Sequence, residues 1–134
     1  MKRSEIITEH YEEIKNAMIE HYRYVVEADG RVQYGIYIWE DGELEYLYEA
    51  QGSNSWLEPR RMEPRELFYV CTIEESPSFN LWDYADEGMP EDEAEQETMS
   101  EEIIDWLVES YTDNVDEVLD GIISDAEEME RYQE

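Results

Sequence analysis

With 134 residues, 41% of them apolar and including 11 Tyr and 4 Trp, the chain has enough apolar and aromatic side chain for one compact core. It is too short for two comfortable domains and too apolar for a disordered acidic tail. Its 38 acids against 9 Lys plus Arg give a formal charge of −29, far beyond the magnitude of roughly 2 to 8 that keeps a small domain soluble, and such a field disfavours direct binding to nucleic acid or to an anionic membrane.

Residues 4 to 28 read as one amphipathic helix with Ser4 as N-cap. Ile7, Tyr11, Ile14, Met18, Tyr22 and Val25 recur in steps of three and four along one face. The Asp29-Gly30 pair ends it. His10 and His21, each within an EHY triplet, are expected at the surface. They would stand about 16 Å apart along the helix, too far to share a metal.

In RVQYGIYIW, Val32, Tyr34, Ile36 and Ile38 alternate with Gln33, Gly35 and Tyr37, as in a strand with one buried face. Glu40-Asp41-Gly42 supplies a turn, and Leu44, Tyr46 and Tyr48 share a face of the returning strand. A polar loop, QGSNSWLEPRRMEPR, precedes a third β-prone run, ELFYVCTI at 66–73. A three-stranded antiparallel sheet is therefore expected over 31–73. Cys71, the single cysteine, reads as a buried structural thiol. With no apolar run long enough to be a signal or a membrane span, a cytoplasmic protein is expected.

Residues 74–97 read as an acidic loop. Phe79, Leu81, Trp82 and Tyr84 anchor it, and PEDEAEQE runs free of the core. Thr98 with Glu101 forms a capping-box pattern that opens an acidic helical segment over 98–131. Its apolar stripe is Ile103, Leu107, Tyr111, Val115, Val118, Ile122, Ala126 and Met129, and Thr112-Asp113-Asn114 and Gly121 each offer a point where one helix would become two. The expected fold is α+β: one domain over 1–134, an N-terminal helix packed on a three-stranded antiparallel sheet, followed by acidic C-terminal helices.

Charge is divided unevenly. Residues 1–70 hold 15 acids and 8 bases, whereas residues 71–134 hold 23 acids and 1 base. Twelve acids fall on 101–130, about one per 3.75 Å of helix axis, against about 3.4 Å per phosphate for a single strand of duplex DNA. Such a helix declines the i, i+4 Glu–Lys pairs that would stabilise it. A stiff row of carboxylates suits a cleft whose Arg and Lys were placed for phosphates, because arginine pairs bidentately with both.

The segment EEIIDWLVESYTDNVDEVLDGIISDAEEMERYQE, dense in Asp, Glu, Tyr and Trp, together with the small size and near-absence of Lys, resembles the small acidic DNA mimics that phages and mobile elements use against restriction enzymes and CRISPR nucleases. The resemblance lies in the last 60 or so residues, and no residue role is carried over by position. It implies a non-enzymatic inhibitor that occludes the basic cleft of a nucleic-acid-binding protein, most naturally a nuclease of a bacterial defence system. The expected contact row is Glu101, Asp105, Glu109, Asp113, Asp116, Glu117 and Asp120.

The alternative is an acidic immunity-type protein that grips one basic partner through an aromatic patch, with Trp106 at the polar edge of the helix, Trp56, Trp82 and Tyr84 as its candidates. Trp82 and Tyr84 read more readily as core. Adaptation to high salt is a third reading, against which the eight bases of the first half count. Arg60, Arg61 and Arg65 are expected to pair internally with the acidic helices, or else to meet an acidic surface such as a second copy of the chain. There is no glycine-rich phosphate loop, no zinc-type cysteine set and no nucleophile beside a base, and TDNVDEVLDGII fails as a calcium loop because Val118 stands where glycine is needed. No enzymatic activity, cofactor or structural metal is expected.

Overall fold

The computed structural model describes residues 1–51 and 64–133. The elements are α1 (Arg3–Glu9), α2 (Tyr11–Glu27), β1 (Val32–Trp39), β2 (Leu44–Ala50), β3 (Leu67–Ile73), a one-turn 3₁₀ helix (Leu81–Tyr84) and α3 (Glu93–Gln133). The fold is α+β, with an antiparallel sheet in the order β2-β1-β3. The α2 helix lies between the sheet and α3, touching β1 and β3 on one side and α3 on the other. One cluster of buried side chains takes in Ile6 and Ile7 of α1, Ile14, Met18 and Val25 of α2, Ile36 and Ile38 of β1, Val70 of β3, Leu81, and Val115 and Leu119 of α3.

The first helix is two. It breaks at His10, whose backbone leaves helical geometry at φ −110° and ψ 30°, although no proline or glycine marks the spot. Tertiary contacts outweigh local propensity there: the His10 ring packs on Gly42 of the hairpin turn, and Ser4 is drawn to the far end of α3. Ser4 is not the N-cap, which is Lys2. Its N–H and hydroxyl donate to Glu130 Oε1 and Oε2 at 2.9 and 2.5 Å, so a carboxylate from α3 serves an N-terminal amide of α1 that has no intrahelical acceptor.

The hairpin forms as its pattern predicts, from Val32↔Ala50 to Ile38↔Leu44. Its turn closes through the Gly42 N–H to the Trp39 carbonyl and the Trp39 N–H to the Glu43 carbonyl, both 2.8 Å. Gly42 adopts φ +94°, and an added Cβ would lie 2.5 Å from His10 Cε1. Gly42→Ala is expected to lower unfolding stability by about 1–3 kcal/mol, from left-handed backbone strain and from the clash. In a denaturation double-mutant cycle with His10→Ala, the clash should be recovered and the backbone strain should remain.

On β3 a bulge adds Val70 opposite the Ile36–Tyr37 step, since Ile36 pairs with Cys71 and Tyr37 with Tyr69. Two consecutive residues, Val70 and Cys71, thereby turn toward the core. Burial pushes the Cys71 thiol pKa up to about 12, which leaves it protonated and unreactive at neutral pH. The expectation of a single buried face on β1 needs correction. Tyr37 and Trp39, on the face away from the helices, are buried with Leu67 in a second small cluster, and the Arg65 guanidinium stands 4.5 Å from the centre of the Trp39 ring.

His21 is also buried rather than exposed. Its ring stacks on Tyr46 with centroids 4.2 Å apart, and its Nδ1 lies 2.7 Å from the Ala17 carbonyl. His10 is half-buried, 3.7 Å from Glu13. No helix among the described residues is long and apolar enough to cross a membrane.

Candidate nucleic-acid-mimicking surface

The acidic segment is one helix, and it begins earlier than its sequence pattern suggested. The Gln96 N–H donates to the Asp92 carbonyl, and the Gln96 side chain donates to the Pro90 carbonyl at 2.6 Å. Asp92 thus stands at the N-cap position, and Asp92 with Glu95 has the spacing of an acidic capping box. Thr98 lies inside the helix, where its hydroxyl donates to the Ala94 carbonyl. Residues 93–97 therefore belong to α3 and not to a loop. Neither Thr112-Asp113-Asn114 nor Gly121 interrupts it: the Thr112 hydroxyl and the Asn114 amide donate back to the carbonyls of Val108 and Ser110, satisfying in place the groups that would otherwise favour a turn. At 41 residues α3 is about 60 Å long.

Between residues 99 and 119 a ridge of buried and half-buried side chains runs in steps of four, Met99, Ile103, Leu107, Tyr111, Val115 and Leu119, with Ile104 and Val108 buried beside it and Ala126 buried further along. A four-step ridge winds around the axis by about 40° per step, as helices crossing at an angle require; the expected stripe coincides with it at Ile103, Leu107, Tyr111 and Val115 and departs from it with a step of three to Val118. Val118 and Met129, members of the expected stripe, are accordingly exposed, and Leu119 takes the core position.

This ridge organises the acids. Glu101, Asp105, Glu109, Asp113 and Glu117 each follow a ridge residue by two positions, 200° further around the helix, so they form a parallel ridge on the side away from the core. All five are exposed. They span about 24 Å with one carboxylate per about 6 Å. Glu101, Glu109, Asp113 and Glu117 make no hydrogen bond or ion pair among the described residues.

Asp116 and Asp120, one position after a ridge residue, lie on the flank that meets α2. The Tyr11 hydroxyl donates to Asp116 at 2.9 Å and to Asp120 at 3.0 Å, and Lys15 pairs with Asp116 at 3.2 Å. These bonds hold the Asp116 carboxyl below the ordinary range, the Tyr11 hydroxyl contributing most, and Ser4 does the same for Glu130. The sign is that of depressed carboxylates: the stability they supply is present above the ordinary carboxylate pKa and is lost as pH falls through the lowered folded values. Asp105 belongs to the exposed ridge, yet Arg23 reaches it at 2.8 Å. The predicted row thus divides into an outward ridge and a flank that ties α3 to α2.

Trp106 lies beside the outward ridge and is 56% exposed, with its ring 5.9 Å from that of Tyr84, itself 46% exposed. Tyr84 is therefore surface rather than core, while Trp82 is half-buried against the core. Trp56, Arg60 and Arg61 lie outside the described residues. Arg65 pairs with Asp41 and Glu43, both at 2.7 Å, so the internal pairing expected with the acidic helices falls instead on the hairpin turn; its guanidinium holds the Asp41 carboxyl below the usual range. Comparison with family models, curated proteins and solved structures found no match to the chain.

Proposed function

We propose that the chain is a non-enzymatic inhibitor that imitates nucleic acid and occludes the basic DNA- or RNA-binding cleft of a nuclease or other nucleic-acid-binding protein, in the manner of anti-CRISPR or anti-restriction proteins. The observation that carries this reading is the exposed ridge Glu101, Asp105, Glu109, Asp113 and Glu117, which winds through about 160° of a single unbroken helix opposite its buried ridge. A helix held by its buried ridge presents charge without further ordering cost. A cleft that binds it regains the Coulomb attraction and counterion release it would obtain from phosphates.

The test is competition. Immobilised protein should retain basic nucleic-acid-binding proteins that excess duplex DNA releases, and retention should fall steeply between about 50 and 200 mM salt. The exposed Trp106–Tyr84 pair favours a second reading, an immunity-type protein anchored on one basic partner by its aromatics. In that case retention withstands duplex and salt and is lost on Trp106→Ala.

A further inference from the structure

The two edges of the sheet are treated differently. On β3, the Arg3 guanidinium donates to the carbonyls of Tyr69 and Val70 at 2.6 and 3.1 Å, so the outer edge is occupied at the bulge by a cation from α1. On β2 nothing comparable occurs among the described residues. The bonds from the Trp39 N–H to Glu43 and from the Gln51 N–H to Arg31 fix which pairs of the hairpin exchange hydrogen bonds. By alternation these are Gln33–Glu49, Gly35–Leu47 and Tyr37–Glu45. Tyr46 and Tyr48 fall at the non-bonded positions, so their N–H and C=O groups point away from β1. Among the described residues no group bonds to them.

The side chains beside this edge are aromatic and acidic. Tyr48 is 62% exposed and Tyr46 and Tyr24 are each 40% exposed, and their rings gather with Tyr34 around His21. Burial raises the Tyr46 phenol pKa, and the charges of Glu20 and Glu13 on α2 raise it further. On the opposite face of the strand stand Glu45 and Glu49. An extended chain laid along β2 would therefore meet exposed tyrosine rings and the Glu20 carboxylate on one face, and on the other the half-buried Glu45 and Glu49, of which Glu45 has its Oε2 enclosed. Tyrosine faces attract cations, while open strand edges attract strands.

We propose that the outer edge of β2 is a docking site for an extended basic segment of a partner protein, which adds a fourth, edge strand by bonding to the N–H and C=O groups of Tyr46 and Tyr48 and sets arginine or lysine side chains against Tyr24, Tyr46, Tyr48 and Glu20. A second copy of this chain is the poorer occupant, because pairing β2 with β2 sets Glu45 and Glu49 against their own kind. This site is separate from the α3 ridge, and it stands or falls independently of the nucleic-acid-mimic reading.

The probe is a capped heptapeptide of alternating arginine and threonine, compared with the same peptide N-methylated at alternate residues, which keeps its charge but loses its strand-pairing donors. The plain peptide should bind and slow hydrogen exchange of the Tyr46 and Tyr48 amides. N-methylation should weaken binding about tenfold, as expected for the loss of two hydrogen bonds. Tyr48→Pro, which removes an outward N–H and no ladder bond to β1, should weaken it by a similar factor.

Equal affinity for both peptides, with no protection at Tyr46 and Tyr48, would mean attraction to the general acidic surface and would overturn the proposal. Protection of those amides in a peptide-free, concentration-dependent dimer would overturn it in favour of self-pairing. The comparison of the two peptides uses the unaltered protein, so it decides the matter even where the proline variant folds poorly.

Discussion

Reversing Glu101, Glu109, Asp113 and Glu117 to lysine is expected to abolish binding to a duplex-releasable partner while leaving the protein as stable as before or more so. The formal charge would move from −29 to −21, two units for each of the four positions. None of the four bonds to another described residue, so the fold loses no contact and gains relief from self-repulsion. Four exposed ion contacts at up to about 1 kcal/mol each, lost and replaced by repulsion, correspond to a loss of affinity on the order of a hundredfold to a thousandfold.

The matching control is Asp116→Lys with Asp120→Lys. These side chains accept from Tyr11 and Lys15, so the change should lower the melting temperature and affect binding less. Binding that survives the ridge reversal and fails with the flank reversal would place the interface elsewhere. Titration calorimetry on both variants, beside thermal unfolding, separates the outcomes.

Leu119→Ala should be the most damaging single truncation on α3. Leu119 is fully buried, and removing a buried leucine side chain to its Cβ costs about 2–5 kcal/mol, a large share of the roughly 5–15 kcal/mol that a domain of this kind has in total. A fall in melting temperature of about 10 °C or more follows at this chain length. Val118→Ala, one residue earlier and exposed, should change stability by no more than about 0.5 kcal/mol. The pair of measurements distinguishes a ridge that continues from Val115 to Leu119 from a stripe that turns to Val118. A larger loss at Val118 than at Leu119 would overturn the packing described above.

That contrast also marks what could be read from the sequence. The hairpin was legible because alternation over Val32–Ile38 and a turn ending in Gly42 are local signals whose tertiary outcome agrees with them. The core face of the first helical stretch was legible for the same reason. Its division at His10 was not, because the cause is the fit of an imidazole against Gly42 and the pull of Glu130 on Ser4, groups far away in the chain. His21 was misplaced because its burial depends on stacking against Tyr46 of β2, which helical spacing does not reveal.

On α3 the existence of a helix, its acids, its aromatics and most of its core-facing stripe were legible, while the choice of Leu119 over Val118 was not. Apolar residues occur at both Val118 and Leu119, and only the crossing of α3 over α1 and α2 selects between them. The start at Asp92 did carry a signal, the Asp92 to Glu95 spacing, but it was masked by the surrounding run of acids. Within the candidate surface, the outward ridge was in the sequence. The separate duty of Asp116 and Asp120 could come only from knowing where Tyr11 and Lys15 lie.

Because the carboxylate ridge and the buried ridge of α3 share one step of four, their relation is set by residue count. Deleting a single residue between Tyr111 and Val115 would swing the whole distal portion through 100°, taking Val115 and Leu119 out of the core and turning the acids beyond the cut toward it. Substitutions on the outward side carry no such consequence. A lineage bearing this helix can therefore alter its surface side chain by side chain, whereas changes of length in that stretch are closed to it.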